Sequence, residues 1–252
     1  MPGRDPLIDP RDPLRALTLL TRLPVPGADG ARDAASAWTW PLVGLVIGGL
    51  ASLGGWIALM LGLPPAAAAG TALVVGIITT GGLHEDGLAD CADGFWGGHT
   101  PERRLEIMRD SRIGSYGVLA LILGVGLKWV LLTALLDMGA LWLAILVPAV
   151  LSRGAMAGVM AALPFAREDG LARHVGRPSV TAAASGCLLA TIGAVALAGL
   201  VGLLAAVFVA GMSLAVARLS VAKIGGQTGD VLGAVQHLSE ITAMAVLVAL
   251  LP

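Results

Sequence analysis

The chain has 252 residues, 56% of them hydrophobic and 13% charged, with mean hydropathy +0.85 and a formal net charge of −1. A water-soluble domain carries about 25% charged residues, so this chain has too few to cover a water-facing surface and reads as an integral membrane protein. There is no basic field, which argues against nucleic acid as a partner, and the two cysteines, Cys91 and Cys187, stand too far apart in context to predict a disulfide.

Residues 1–12 predict a disordered tail that lacks the apolar core of a signal peptide, so the apolar segments themselves must direct insertion. Pro13–Arg22 predicts a short helix with Leu14, Leu17, Leu19 and Leu20 on one side, suited to a membrane surface; a plain linker is the alternative. TRLPVP (Thr21–Pro26) breaks it, because two prolines in that spacing cannot continue a helix. Trp38–Leu61 is the first span, with Trp38 and Trp40 placed like an interfacial belt. After the Pro64-Pro65 turn, Ala66–Leu83 is the second, rich in small residues that pack closely. Gly114–Leu136 and Ala140–Leu163 are the third and fourth, and Pro164–Pro178 is a polar loop. Val180–Leu219 exceeds the roughly 20 residues of one crossing and is split near Gly199–Gly202. Ser220–Asp230 is a glycine-rich loop, and Gly233–Leu251 is the last span. The predicted fold is all-α: a polytopic transmembrane helical bundle of about seven spans, one domain over residues 1–252, with an acidic site at its cytoplasmic edge.

Alternating the loops places all of the sixteen Lys and Arg except Lys128 and Arg153 on one side, which the positive-inside rule makes cytoplasmic. Lys128 and Arg153 fall inside the third and fourth spans. Lys128 is expected to snorkel to an interface. For Arg153 snorkelling and substrate binding stand side by side, since Ser152 and Gly154 leave room.

The chemistry concentrates in Gly81–Gly98, GGLHEDGLADCADGFWGG. Asp86, Asp90 and Asp93 at i, i+4, i+7 share one helix face. Like charges in apolar surroundings need compensation, and hard oxygen donors of this kind suit Mg²⁺ or Mn²⁺; a solvated acidic helix tip is the alternative. Gly81, Gly82, Gly87 and Gly94 let a bulky substrate approach the backbone. Glu85 points away from the stripe and is expected to face solvent. His84 reads equally as a base or ligand and as an interfacial polar residue. Cys91 is expected to be open to a maleimide from the cytoplasm, and Cys187 is not. Met108–Gly117, MRDSRIGSYG, sets Arg109 and Arg112 behind the acids, where guanidinium groups suit phosphate. Asp110 is a further ligand or an arginine partner, and Ser111 adds a substrate contact. Gly225–Asp230, GGQTGD, repeats the Gly-Gly-x-x-x-Asp spacing of Gly81–Asp86. That echo brings Gly225, Gly226 and Thr228 in as substrate contacts and Asp230 as a metal ligand. Gln236 and Glu240 share a face of the last span.

GGLHEDGLADCADG, MRDSRIGSYG, PFAREDGL (Pro164–Leu171) and GGQTGDVLGA (Gly225–Ala234) resemble the cobalamin synthase family, the adenosylcobinamide-GDP ribazoletransferases. TRLPVP and PLVGLVIGG (Pro41–Gly49) fit it too, in order over nearly the whole chain. Glu85 stands where the family often has an apolar residue and Cys91 where it often has threonine; neither touches the aspartate stripe. The resemblance implies an inner-membrane, Mg²⁺-dependent enzyme acting on a corrinoid nucleotide and α-ribazole, or α-ribazole 5′-phosphate. The ribazole 5′-hydroxyl reacts with adenosylcobinamide-GDP, GMP leaves, and adenosylcobalamin or its 5′-phosphate forms. On this reading Asp86, Asp90 and Asp93 hold Mg²⁺ on the pyrophosphate, and Arg109 and Arg112 take developing charge. Asp90, Asp93 or His84 is the base. One rival is a CDP-alcohol phosphotransferase-like lipid enzyme, whose motif is echoed here with its pieces in the wrong order. The other is a divalent-cation transporter, whose site belongs near the bilayer midplane and not beside arginines at an edge. Membrane lipid surrounds the chain in any of these readings, and a homo-oligomer is left open.

Overall fold

A computed structural model describes residues 8–25 and 33–251. Residues 1–7 of the predicted tail lie outside the described residues, as do Pro26 of the helix breaker and Arg32. The described residues form ten helices, a 3₁₀ turn at Ala35–Thr39 and a single isolated bridge. The helices are α1 (Asp12–Leu20), α2 (Trp40–Met60), α3 (Pro65–Thr80), α4 (Leu83–Gly97), α5 (Pro101–Ile107), α6 (Ser115–Asp137), α7 (Leu141–Ala162), α8 (Leu171–Val175), α9 (Val180–Ile224) and α10 (Gly229–Leu250). The fold is all-α, as the apolar runs predicted.

Five stretches are long and apolar enough to cross a membrane: Ala35–Met60, Ser115–Asp137, Leu141–Ala162, Val180–Ile224 and Gly229–Leu250. The fourth has 45 residues. At about 1.5 Å per residue it is more than twice the roughly 30 Å thickness of a bilayer core. It breaks at Gly199, with φ 57° and ψ −132°, a backbone region that glycine alone enters without strain. A Cβ added to Gly202 would stand 2.5 Å from the carbonyl carbon of Ala194. In one continuous helix those residues lie about 12 Å apart along the axis. The two arms therefore fold back as a hairpin, at the predicted split.

α3 ends three residues before the predicted second span does. Gly81 and Gly82 take φ values of 68° and 72°, and the chain turns 87° into α4. Left-handed glycines stop a helix because a Cβ is not in the way. α4 then runs along the end of the bundle, packed on α10 and α6.

α7 and α10 are mostly buried and form the centre, whereas α6 and α9 present most of their surface outward, with Leu119, Ile122, Leu123, Val130, Leu200 and Phe208 exposed. The polar loops gather at one end. Arg22 N–H donates to the Thr79 carbonyl at 2.8 Å and Gln227 N–H to Pro164 at 2.8 Å. Arg104 Nη1 reaches the Lys223 carbonyl at 2.8 Å. Asp137 lies at the C-terminal end of α6, exposed, one helix length away from this loop cluster.

Candidate active site

The edge site is built by two glycines. A Cβ on Gly87 would stand 2.7 Å from the Asp230 carbonyl oxygen and 3.0 Å from its Cα. One on Gly233 would meet the Leu83 carbonyl oxygen at 3.2 Å and the His84 Cα at 3.3 Å. The backbones of α4 and α10 thus cross in direct contact, which brings the acidic face of α4 beside the first turn of α10. That turn is set by Thr228, whose Oγ1 accepts from Val231 N–H at 3.3 Å and donates to Asp230 Oδ2 at 3.1 Å. Asp230 is also 3.5 Å from Arg167 Nη2. Arg167 is held there because the 164–166 segment pairs with Gln227 in a short parallel bridge.

The stripe divides. Asp86 is exposed, Asp90 half-buried and Asp93 buried. Burial first, then the Asp230, Asp86 and Asp93 carboxylates, push the Asp90 carboxyl up to about 7, against the pull of Arg167. Such a group marks negative charge in excess, the condition that attracts a cation. Asp93 instead accepts from Gly114 N–H at 2.7 Å and Gly117 N–H at 2.9 Å. It caps α6, where an anion is favoured by the unpaired amides and the helix dipole. A Cβ on Gly114 would stand 2.5 Å from Asp93 Oδ1, so a glycine is required there.

Among the described residues no three His, Cys, Asp or Glu side chains are placed to hold a metal ion by themselves. Asp86, Asp90 and Asp230 offer only carboxylate oxygens. This suits Mg²⁺, which takes one or two carboxylates and completes its shell with waters and phosphate oxygens.

Two of the candidate arginines are spoken for. Arg109 Nη2 donates to Asp169 at 2.5 Å on an exposed surface. Arg112 forks onto Asp110 with contacts of 2.7 to 3.2 Å, which hold the Asp110 carboxyl down near 2. Asp110 is thus an arginine partner, and Ser111 lies exposed between the two. The other glycines shape the edge from beneath. Gly81 and Gly82 make the bend, and Gly94 seats α4 on Arg104 and Met108. Gly225 ends α9 at φ 76°, and Gly226 packs on Pro164 and Ala166.

His84 projects from the opposite side of α4 to the stripe, 2% exposed, among Trp40, Met156 and Met160. The structure does not bring it to the aspartates. Cys91 shares that inner face, 5% exposed beside Leu88, Phe95 and Ala234. The expected labelling by maleimide is therefore corrected: burial closes access and pushes the thiol pKa well up.

Three further expectations are corrected in the interior. Glu85 does not face solvent: its Oε1 lies 3.4 Å from His237 Nδ1 and 3.9 Å from Lys128 Nζ. Lys128 does not snorkel. It sits thirteen residues into α6, about 20 Å from the helix start, 6% exposed, and donates to Glu240 Oε2 at 2.6 Å. Arg153 is 2% exposed and is bound within the bundle, by Glu240 Oε1 and by Ser152 Oγ at 3.0 Å. It lies about 14 Å from the loop end of α7 and is not at the acidic edge. Gln236 donates to the same Glu240 oxygen, on the shared face that the sequence predicted.

Sequence reasoning gave no role to Arg167, Asp169, Gly114 or Gly117. The signals were present in PFAREDGL and in the paired glycines of MRDSRIGSYG. Placement of Asp230 makes a prediction. Asp230→Asn is expected to lower activity at least tenfold, as removal of groups that orient a metal site does, while Asp137→Asn at the far end changes it less than twofold. Turnover of both variants at saturating substrate checks this, and equal tolerance would reduce the GGQTGD turn to a structural element.

The profile described as cobalamin-5-phosphate synthase matches residues 12–248 of this chain. A protein of Bradyrhizobium diazoefficiens named adenosylcobinamide-GDP ribazoletransferase is 45% identical over 242 residues, covering 93% of this chain and 92% of the relative. Proteins of the same name from Mesorhizobium japonicum and Brucella canis are each 42% identical. They cover 91% and 94% of this chain, and 90% and 96% of their own lengths. No solved structure matches.

Proposed function

Because the chain belongs to the cobalamin-5-phosphate synthase family, we propose that it is an adenosylcobinamide-GDP ribazoletransferase. The near full-length match to relatives of that name carries the reading, and the acidic edge between α4 and α10 gives it a place on the chain. The 5′-oxygen of α-ribazole, or of its 5′-phosphate, bonds to the phosphorus that carries adenosylcobinamide. The bond from that phosphorus to the GMP oxygen breaks, and the 5′-hydroxyl proton passes to a base.

Asp86, Asp90 and Asp230 would hold Mg²⁺. Bound there, the ion supplies neutralisation of pyrophosphate charge, the main requirement of phosphoryl-type transfer. Arg167, directed at this edge by the Gln227 bridge, offers a guanidinium group to the phosphates, and Arg109 and Arg112 would join it on leaving Asp169 and Asp110. Of the three candidate bases, His84 faces away and Asp93 is engaged by two N–H donors. Asp90 remains, half-buried on the acidic edge itself. With the α9 hairpin as two crossings and α3 as another, the chain spans the membrane seven times. Its basic loops and the acidic edge then face the cytoplasm in an inner membrane.

The test uses the full chain in lipid nanodiscs, with adenosylcobinamide-GDP and either α-ribazole or its 5′-phosphate. GMP release is expected on addition of Mg²⁺ and is expected to stop with excess EDTA. The ratio of kcat/KM for the two ribazoles names the preferred acceptor. No GMP release with either acceptor, across a full Mg²⁺ titration, would overturn the assignment.

A further inference from the structure

We infer that Glu240 is a positioning residue, which clamps α6 and α7 onto α10 from inside the bundle and so fixes where Asp230 and the acidic face of α4 stand. The inference rests on the metal-edge reading above.

Glu240 lies ten residues beyond Asp230 on α10, about 15 Å further into the bundle. Its two oxygens are shared between two cations from two other helices. Oε2 takes Lys128 of α6 at 2.6 Å, and Oε1 takes Arg153 of α7. All three residues are buried, under 10% exposed. Stability does not require this arrangement, because well-packed apolar residues in place of a buried ion set are often as stable or more so. Charges within membrane spans are costly and are retained where they serve function.

Geometry supplies the link to the edge. At 3.6 residues per turn, Gly233 and Glu240 are seven positions apart and fall within roughly 20° of one another on α10. The face that Glu240 clamps is therefore the face on which Gly233 meets Leu83 and His84 of α4. Turning α10 about its axis would break that backbone contact and swing Asp230 away from Gly87. Glu85 of α4 lies against the same cluster, its Oε1 3.4 Å from His237 Nδ1 and 3.9 Å from Lys128 Nζ. Four helices thus share one charge cluster beneath the aspartates, and none of its members reaches the edge itself.

The experiment compares the wild-type chain in nanodiscs with two variants. Glu85→Gln/Lys128→Met/Arg153→Met/Glu240→Leu removes the ions of the cluster together and leaves none of them alone. Glu240→Gln keeps the shape and removes the clamp. The probes are Mn²⁺ alone, titrated by electron paramagnetic resonance, the Mg²⁺ concentration for half-maximal GMP release, and the melting temperature. The fourfold variant is expected to melt near or above wild type. Its Mn²⁺ affinity is expected to fall about tenfold, with a matching rise in the Mg²⁺ requirement, the size of effect that groups orienting metal ligands produce. KM for adenosylcobinamide-GDP at saturating Mg²⁺ stays within about twofold of wild type on the same reasoning. Glu240→Gln is expected to lose Mn²⁺ affinity and melting temperature together, because it strands two buried cations. Wild-type Mn²⁺ affinity in the folded fraction of either variant would overturn the inference. Failure of the wild type to release GMP would strike the proposed reaction instead, and would leave the Mn²⁺ comparison valid.

Discussion

Asp90→Asn is expected to lower GMP release by about three orders of magnitude while the protein inserts and melts at or above the wild-type temperature. The loss follows from metal-ion stabilisation worth several kcal/mol, at tenfold per roughly 1.4 kcal/mol. The gain in melting temperature follows from the same charge. Asp90 is crowded by Asp230, Asp86 and Asp93, which is why its carboxyl resists ionisation. An amide of equal size removes that repulsion. Asp93→Asn carries the opposite sign for stability. Asp93 accepts from both Gly114 and Gly117 N–H, and asparagine has one acceptor for two donors. Loss of such a cap costs about 1 kcal/mol. Melting curves in detergent, paired with GMP release for each variant, separate the two aspartates. Near-normal turnover of Asp90→Asn would remove it from the site.

Gly87→Ala is the second large effect. The added methyl would meet the Asp230 backbone at 2.7 and 3.0 Å. Neither partner is a flexible side chain, so one helix must move. Forced overpacking of this kind costs about 1–3 kcal/mol, and a shift of about 1 Å at a reacting centre costs about 10²-fold in rate. Gly126→Ala on α6, where a Cβ meets nothing within 4 Å, is the control and is expected to leave both measurements unchanged. Wild-type activity of Gly87→Ala would show that the α4–α10 crossing does not set the site.

The sequence by itself determined the class and the main apolar runs, and it set three aspartates on one helix face. Low charge content and apolar runs of bilayer length admit little besides a helical membrane protein, since every backbone group in lipid must be paired internally. The Gly199 split was legible because the apolar run Val180–Leu219 is too long for one crossing. The Asp86–Asp93 stripe was legible because helical spacing alone puts those residues on one face. The echo of GGQTGD to GGLHED pointed to Asp230, and the Gly87 contact places Asp230 there.

The tertiary structure decided which of the stripe's carboxylates are free. Asp93 is on the same face as Asp90 by periodicity, yet it is taken by amides of a helix that begins twenty-two residues later. Periodicity describes one helix and says nothing of what packs against it. The interior charges follow the same rule. In the sequence Lys128, Arg153 and Glu240 stand far apart, each within an apolar run. They are stable inside only because α6, α7 and α10 bring opposite charges within hydrogen-bond reach, a pairing made across 87 and 112 residues of chain. His84 and Cys91 went to the core, and Glu85 to the interior charge cluster, because the 87° turn at Gly81–Gly82 laid α4 flat against α10. A helix lying across a bundle buries its inner face, and the sequence did not show which face that would be.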